Sequence, residues 1–544
     1  MKYLRWLADA IRPYWAAVTV MMTCHILIAC CSIGFVYVSK KLVDVAVAIF
    51  GGSQTGAGLW PLAVAMIGIV ILRIALNALR SYLQTKTEIR LKNSLRHKLF
   101  DILLHLQTNG GSRHHSGDVL NRMQEDVRVV SNAVAVSLPN LFGTVLQFVA
   151  AFVFLLILDL RLAIVIVIVV PVGLAVGKFI TSRIRNLTLD IRKSDSKVQS
   201  HVQESIQHIT LLQSLEYTDS SASELLGLQN TLYGNELKRT RFSVVSRIFI
   251  SLAFSAGHAI AFIWGVFGIS AGTVTYGMMT AFLQLVGQIQ RPLVEMSSQL
   301  PSIIHATASI DRLLELEQLP REVPESRILL DGTAGIRLTD ITFAYPDSDK
   351  DVLHDFTHDF KPGSRTAIVG PTGVGKSTLI RILLSLLKPQ SGTLDIYTDS
   401  ACCTLNADTR CNLVYVPQGN SLFSGTIRDN LLMGNPDADI EQMHSVLKTA
   451  AADFVFGLPD GIDTQCFEAG AGLSEGQAQR IAIARALLRP GSVLLLDEFS
   501  SALDAETETT LMERLTKELP NHTMIFITHR EKIIDYCTDT LRLG

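Results

Sequence analysis

The chain has 544 residues, of which 18% are charged, and its mean hydropathy is +0.31. This length allows two to four domains, and so apolar a composition excludes an ordinary soluble protein. The formal net charge of −2 argues against nucleic acid as the main partner, because binding driven by counterion release needs a basic excess. The eight cysteines include no C-x-x-C pair, so we expect buried or incidental thiols rather than a metal site.

The N-terminal part of the chain is apolar in long runs. Its first 15 residues, MKYLRWLADAIRPYW, show no signal-peptide cleavage pattern. They predict an amphipathic helix at a membrane surface, where Trp6, Tyr14 and Trp15 suit the interface. A membrane helix needs about 20 apolar residues. Six candidate spans follow, at residues 16–38, 60–80, 133–158, 161–181, 247–270 and 276–298.

The connections between these spans alternate in length and charge. Short connections follow the first, third and fifth spans, whereas the long helical connections 81–132 and 178–247 carry eight and ten Lys or Arg residues. The opposite side shows Lys40, Lys41 and Arg161. Because basic residues are retained on the cytoplasmic side, both long connections and both termini are predicted to be cytoplasmic, in a cell (inner) membrane.

Two stretches within the long connections predict loop–helix tips, Ser116–Val130 and Gln203–Tyr217. Such tips either space two membrane helices or contact a cytoplasmic domain, and the second interpretation is favoured because such a domain follows. The charged stretch Leu316–Gly335, which contains two prolines, predicts a linker. We therefore expect a membrane domain over 1–318, a linker over 319–335 and a second domain over 336–544.

From Ile336 onward the pattern predicts a doubly wound α/β domain. GIRLTDITFAY alternates like a strand, SRTAIVG and SVLLLDE read as short buried strands, and helical stretches lie between them. The predicted fold class is thus an α-helical membrane domain with six transmembrane helices, followed by an α/β nucleotide-binding domain of the P-loop type.

The P-loop assignment rests on GPTGVGKST, which matches G-x-x-x-x-G-K-[ST] between a predicted strand and a predicted helix. Backbone N–H groups of such a loop surround the phosphates of ATP, Lys376 reaches the β- and γ-phosphates, and the Ser377 hydroxyl binds Mg²⁺. The predicted nucleotide-binding residues of the loop are Gly370, Pro371, Thr372, Gly373, Val374, Gly375, Lys376, Ser377 and Thr378.

The strand SVLLLDE supplies two carboxylates next to this loop. Asp497 would hold the Mg²⁺ shell, and Glu498 is placed to orient or deprotonate the attacking water. The stretch LSEGQAQR starts another helix, with Ser474 and Gln477 in the order of a capping box. A helix N-terminus favours an anion, yet Glu475 places a carboxylate in that first turn.

These motifs together resemble the ATP-binding-cassette (ABC) family, over nearly the whole chain and in the family's order. LSEGQ resembles the signature LSGGQ with one change, and TQCFEAGAG resembles the exporter pattern T-x-V-G-E-x-G. In the latter, Glu468 and Gly470 are kept, whereas Cys466 and Phe467 replace Val and Gly. The six spans ahead of one cassette resemble an exporter-type half-transporter, so the tips would be coupling helices.

The resemblance implies further roles for residues of this chain. Tyr345 stacks on adenine, Gln418 contacts Mg²⁺, and His529 contacts the γ-phosphate. The loop Ser501–Asp504 crosses to a partner subunit. Ser474, Gly476 and Gln477 close on the ATP that the partner's phosphate loop holds, which implies a dimer.

With Glu498, His529 and the phosphate loop intact, a homodimer is favoured over a pair with a related half-transporter. The expected function is ATP-driven export of an amphipathic, lipid-like, drug-like or peptide substrate, with ATP hydrolysis by a dimer. Import on the same scaffold, as in siderophore importers, remains open. A non-transporting channel or regulator would be expected to show a degenerate hydrolysis site or inserted regulatory segments.

Polar side chains inside the spans are candidates for substrate contact. Those of His25, Gln147, His258, Gln284 and Gln288 are better explained by interhelical hydrogen bonds. For Arg73, snorkelling and substrate contact are equally supported, and a basic residue in the cavity would suit an anionic or amphipathic substrate.

Overall fold

The computed structural model describes residues 2–50, 58–107, 116–346, 348, 350–467 and 472–543. The chain divides into two compact units. The first comprises Met1–Leu99 and Leu120–Glu315, and the second comprises Phe100–Val119 and Leu316–Gly544.

The first unit is built mainly from long helices. In chain order the helices are α1 Lys2–Ile11, α2 Trp15–Phe50, α3 Leu59–Leu104, α4 Ser116–Asn121, α5 Val127–Asn132, α6 Leu138–Leu158, α7 Leu160–Gln207, α8 Ile209–Ser214, α9 Thr218–Ser270 and α10 Tyr276–Glu317. The predicted N-terminal helix corresponds to α1. Each predicted span lies within one continuous helical stretch of this unit.

Four helical stretches of the described residues are long and apolar enough to cross a membrane. They are Trp6–Phe50, Leu59–Leu104, Asp118–Leu158 and Thr218–Ser270. The predicted spans 161–181 and 276–298 lie in α7 and α10, which have 48 and 42 residues. At a rise of about 1.5 Å per residue, helices of this length extend well beyond a hydrocarbon core of about 30 Å.

The two predicted loop–helix tips differ in structure. The second contains a separate short helix, α8, which begins after His208 and ends at Ser214. The first is not a separate tip over its described residues, because Ser116–Leu158 is continuously helical through π-helical turns at Arg122–Asp126 and Ala133–Ser137. No Gly or Pro occurs between Asp118 and Leu138, so nothing in this stretch ends the helix.

The turn between α6 and α7 is a single extended residue. The Asp159 side chain accepts hydrogen bonds from the N–H groups of Arg161 and Leu162, at 2.9 and 3.0 Å, and so caps α7. The indole N–H of Trp264 on α9 donates to the same carboxylate at 3.1 Å. Large side chains of α10, including Phe282, Leu285 and Ile289, pack in a buried cluster beside them.

The second unit contains two main sheets. Its strands are β1 Gly335–Phe343, β2 Leu353–Phe360, β3 Arg365–Val369, β4 Ser391–Tyr397, β5 Cys402–Thr404, β6 Leu413–Val416, β7 Gly425–Thr426, β8 Gln465–Cys466, β9 Val493–Asp497, β10 Thr523–Ile527 and β11 Asp539–Arg542. Five of them form a parallel sheet in the order β11-β3-β10-β9-β6, and four form an antiparallel sheet in the order β2-β1-β4-β5. The predicted strand β1 therefore belongs to a second sheet, which the doubly wound pattern did not predict.

Among the described residues of this unit, six α-helices accompany the sheets. They are α11 Lys376–Leu383, α12 Ile427–Leu432, α13 Ile440–Thr449, α14 Glu475–Leu487, α15 Ala505–Glu518 and α16 Glu531–Ile534. The carboxyl ends of β3, β10, β9 and β6 lie side by side, since all four are parallel neighbours. Residues that follow these strands therefore meet at one edge of the sheet.

The end of α3 and the predicted linker both belong to this second unit. Leu106 pairs with Arg321 in an antiparallel bridge, and the Glu322 N–H donates to the His105 carbonyl at 2.7 Å. Further along, the Leu330 N–H donates to the Asn412 side chain at 2.8 Å, and the Asn412 amide donates to the Ile328 carbonyl at 2.7 Å. The linker is thus hydrogen-bonded along its length.

Candidate functional site

The phosphate-binding motif forms a glycine-rich loop between β3 and α11. Gly373 and Gly375 have φ of +87° and +108°, a region that residues with a side chain avoid. A Cβ on Gly370 would lie 2.4 Å from the Leu543 carbonyl oxygen. The glycines at these positions are therefore required by backbone geometry and close packing.

Lys376 is the first residue of α11, and its side chain turns back into the loop. It is 8% exposed. Its ammonium group donates to the carbonyls of Gly370 and Pro371, and it lies 2.9 Å from the His529 Nε2 atom. The structure thus brings together the predicted phosphate-binding cation and the predicted γ-phosphate contact.

Asp497 ends β9 and is 8% exposed. Burial, with a contribution from the charge of Glu498, raises the pKa of this carboxyl above its usual value. The Tyr415 hydroxyl on β6 donates to the Asp497 Oδ2 atom at 3.5 Å. Burial raises the pKa of Tyr415 to about 12, so that this hydroxyl stays protonated and remains a donor at neutral pH.

Glu498 follows Asp497 in an unusual backbone conformation. Its φ is +43°, which is costly for a residue with a side chain and is found mostly at functional sites. Its N–H donates to the Ile527 carbonyl at 3.0 Å, which links the ends of β9 and β10. The Gln418 amide donates to one carboxylate oxygen, and His529 Nε2 lies 3.9 Å from the other.

Tyr345 lies just after β1, next to the start of α11. Its hydroxyl is 3.1 Å from the Thr378 Oγ1 atom, and its ring packs edge-on against Phe343 at 5.1 Å between centroids. The half-buried ring is therefore held beside the phosphate loop by a hydrogen bond and an aromatic contact.

The stretch LSEGQ forms the N-terminus of α14 as a complete capping box. The Ser474 hydroxyl accepts the Gln477 N–H at 3.2 Å, and the Gln477 side chain accepts the Ser474 N–H at 2.9 Å. The Glu475 side chain is exposed, and a Cβ on Gly476 would lie 2.7 Å from the Ala502 carbonyl. Among the described residues, no hydrogen bond joins Ser474, Gly476 or Gln477 to the phosphate loop or to Glu498.

In the exporter-type pattern ahead of this helix, Glu468 and Gly470 lie outside the described residues. Cys466 is buried in β8, and Phe467 is 63% exposed.

The sequence motifs did not indicate two groups of positioning contacts. On α14, the buried Gln479 donates to the Pro417 carbonyl at 3.2 Å, and Arg485 donates to Ser421, so this helix holds the loop that carries Gln418. A carboxamide at an inward-facing position of a helix could have signalled the first of these contacts.

Arg530, which directly follows His529, makes the second group of contacts. It donates to the carbonyls of Ser501 and Leu503 at 3.1 and 3.2 Å, and lies 3.0 Å from the carboxylate of Glu508 on α15. Glu508 is 3% exposed. A glutamate at a core position of α15 could have predicted that a cation lies beside it, although not which residue supplies that cation.

The residues predicted to bind Mg²⁺ offer oxygen donors of the type this ion prefers. These are the Ser377 hydroxyl, the Asp497 carboxylate and the Gln418 amide oxygen. The Gln418 nitrogen is engaged by Glu498, so the amide is oriented with its oxygen free to act as an acceptor. The donor set fits a hard divalent cation.

Comparisons with known proteins cover both units. A family model described as ABC transporter transmembrane region matches residues 18–293, and one described as ABC transporter matches residues 353–501. The uncharacterized ABC transporter ATP-binding protein YfiC of Bacillus subtilis is 27% identical over 88% of this chain and 80% of its own length.

The ABC multidrug transporter mdr2 of Aspergillus fumigatus is 30% identical over 88% of this chain, which spans 61% of that relative. A solved structure of a bacterial Atm1-family ABC exporter with ATP bound has a similar fold. It superposes with a TM-score of 0.80 at 24% identity, over 98% of this chain and 94% of that one.

Proposed function

This chain belongs to the ABC transporter family and is an ATP-driven, multi-pass membrane exporter, and we propose that it works as a homodimer with two composite ATP sites. In each site the phosphate loop of one copy holds ATP, and the N-terminus of α14 from the other copy closes on the γ-phosphate. The capped N-terminus of α14, which makes no hydrogen bond to its own phosphate loop among the described residues, supports this arrangement.

Within one copy, the loop Gly370–Thr378 binds the phosphates and Tyr345 stacks on adenine. The loop residues are Gly370, Pro371, Thr372, Gly373, Val374, Gly375, Lys376, Ser377 and Thr378. On ATP binding, Lys376 exchanges its bonds to the loop carbonyls for bonds to phosphate oxygens, because its ammonium already lies inside the loop. From the partner, Ser474, Gly476 and Gln477 contribute hydroxyl and N–H donors.

Glu498 is proposed as the group that orients and deprotonates the attacking water, with His529 contacting the γ-phosphate. Ser377, Gln418 and Asp497 would hold Mg²⁺, which neutralises charge on the β- and γ-phosphates. The Gln418 amide donates to Glu498, so a shift of the Gln418 loop repositions the base itself. The contacts from Gln479 and Arg485 tie that shift to the start of α14.

The substrate class proposed is an amphipathic, lipid-like, drug-like or peptide molecule, and similarity to the multidrug transporter mdr2 supports the drug-like option. We place the chain in the cytoplasmic membrane with both termini in the cytoplasm, a membrane domain over 1–318 and a nucleotide-binding domain over 336–544. The excess of basic residues in the connections 81–132 and 178–247 supports this orientation.

The observation that carries the proposal is a set of contacts at the edge of the parallel sheet: Lys376 lies 2.9 Å from His529, His529 lies 3.9 Å from Glu498, and the Gln418 amide donates to Glu498. The test is ATP hydrolysis by this chain alone in lipid nanodiscs, beside Glu498→Gln. Hydrolysis that Glu498→Gln abolishes, while Glu513→Gln at an exposed site on α15 leaves it intact, supports a self-sufficient homodimer.

A folded chain that binds ATP without hydrolysing it would contradict the homodimer and point to a related half-transporter as partner. Uptake of substrate into inverted vesicles on addition of ATP supports export. ATP-driven movement out of inverted vesicles would instead establish import.

A further inference from the structure

Helices α2, α3 and α6 bring polar side chains together at their packing interfaces in the first unit. The Gln84 amide on α3, 8% exposed, donates to the Asn140 side chain on α6 at 2.7 Å. Three residues along α6, a Cβ on Gly143 would lie 1.9 Å from the His25 Nδ1 atom of α2. The glycine therefore makes room for an imidazole that presses against the α6 backbone.

Arg80 lies one turn before Gln84 on α3, within electrostatic reach of His25, Cys24 and Glu295. Its Nε atom is buried and has no hydrogen-bond partner. Among the residues that the structure describes, neither an ion pair nor a hydrogen bond engages the Arg80 side chain. Glu295 is hydrogen-bonded to Arg291 at 3.3 Å.

His25 on α2 is a second side chain with a buried nitrogen of this kind. It is 5% exposed, and its Nε2 atom is buried without a hydrogen-bond partner within the described part of the chain. Two buried nitrogens on adjacent helices are thus left without hydrogen-bond partners among the described residues. Leaving such groups unpaired in an apolar environment is costly, and intramembrane ionisable side chains usually mark a functional site.

We propose that Arg80 and His25 bind the acidic group, a carboxylate or a phosphate, of an amphipathic substrate that this transporter moves. The inference rests on the proposed transport function. An anion would accept hydrogen bonds from the Arg80 guanidinium and from His25 in the tautomer that carries its proton on Nε2. The guanidinium forms strong hydrogen bonds to carboxylate and phosphate.

Arg73 extends the site along α3. It lies seven residues before Arg80, on the same face of the helix, and about 10 Å further into the predicted span by helix rise. A bound anion would therefore meet a second cation along its path, while its alkyl chain stays among apolar side chains.

The test uses the full chain in phosphatidylcholine nanodiscs, with binding of dodecyl phosphate and of dodecanoate measured by calorimetry. The two probes distinguish a phosphate from a carboxylate. We expect Arg80→Gln and His25→Gln each to weaken binding of at least one probe about tenfold or more, the effect of one lost charge-assisted hydrogen bond. The matched control is Arg90→Gln, at an exposed site on the same helix, which should bind as the wild type does.

Unchanged affinity in Arg80→Gln, or equally tight binding of dodecyltrimethylammonium to the wild type, would overturn the proposal. A thermal unfolding midpoint provides a second readout. Because no hydrogen bond or ion pair engages the Arg80 side chain within the described residues, Arg80→Gln should keep or raise the midpoint while it loses the probe, whereas a purely structural arginine would lower it.

Gly143→Ala tests the geometry independently, since its methyl group must displace the imidazole of His25, and it should also weaken binding. ATP hydrolysis by the wild type distinguishes a failure of the anion site from a failure of the proposed transport function. Hydrolysis without binding of either probe refutes the anion site alone, whereas a chain that does not hydrolyse ATP contradicts the proposed function.

Discussion

Glu475 stands where the ABC signature has glycine, in the first turn of a helix that is proposed to meet a phosphate. Its side chain is exposed and belongs to no hydrogen bond or ion pair within the described residues. We therefore expect Glu475→Gly to change ATP hydrolysis by less than about tenfold, the rate equivalent of 1.4 kcal/mol. A larger change in the steady-state rate in nanodiscs would show that this carboxylate acts directly on the bound phosphate.

Arg530 pairs with the buried Glu508 and donates hydrogen bonds to carbonyls of the loop Ser501–Asp504. Removing the cation in Arg530→Met leaves Glu508 as an uncompensated buried charge, so we expect a loss of about 3 kcal/mol of stability. Adding Glu508→Gln to this variant should restore part of the lost stability. The measurement is the thermal unfolding midpoint of both variants, and a double variant no more stable than Arg530→Met would contradict the account.

Asp497 is held in an environment that disfavours its charge. Because burial raises its folded-state pKa, the protonated form is favoured in the fold, and this contribution is lost as pH rises through that pKa. Without Mg²⁺ and nucleotide, Asp497→Asn should therefore raise the unfolding midpoint at pH 8 more than at pH 4, while it abolishes hydrolysis. An equal shift at both pH values would rule out this electrostatic cause.

At the scale of elements, the π-helical turn Arg122–Asp126 is anchored to the end of α10. Asp126, 2% exposed, accepts from the Ser309 hydroxyl and the Arg312 guanidinium, each at 2.9 Å, and Arg122 lies 3.1 Å from Glu315. The contacts of the buried Asp126 should matter more than the exposed neighbouring pair Glu125–Arg128.

Asp126→Ala is expected to lower stability by about 2–3 kcal/mol, because it removes the hydrogen bonds that this buried carboxylate accepts from Ser309 and Arg312. Glu125→Ala, one residue away, should lower it by about 1 kcal/mol or less. Thermal unfolding of both variants in the same detergent makes the comparison. Similar midpoints would mean that the anchor to α10 contributes little.

The elements that the sequence predicts well are those with strong local signals. The phosphate loop follows from Gly and Lys spacing, and the membrane helices follow from uninterrupted apolar runs. Two features lack such a signal. The pairing of β1 with β2 and β4 depends on contacts between distant strands, and the merging of Ser116–Val130 into the α6 helix runs through two π-helical turns that no sequence motif indicates. Arg530 was missed because one arginine in a loop has no pattern of its own.

At the scale of the whole molecule, a homodimer with two composite sites makes a prediction about mixed assemblies. Equal amounts of wild type and Glu498→Gln form about one quarter wild-type dimers, one half mixed dimers and one quarter variant dimers. If both sites must be intact, hydrolysis falls to about a quarter, and if the sites work independently it falls to about half. Steady-state hydrolysis per total chain after co-reconstitution distinguishes the two, and a fall to only about half would contradict a dimer in which both sites must be intact.

The hydrogen-bonded linker has a practical consequence for anyone who wishes to express the cassette by itself. A fragment that starts at Ile336 loses the carbonyl of Ile328 and the N–H of Leu330, both of which engage Asn412, a side chain that is 1% exposed. The Asn412 amide then keeps its hydrogen bond to the Thr409 carbonyl but loses its other two partners, which destabilises the fragment. A fragment that begins a few residues before Ser326 keeps these partners, so the better cloning boundary lies upstream of the first strand.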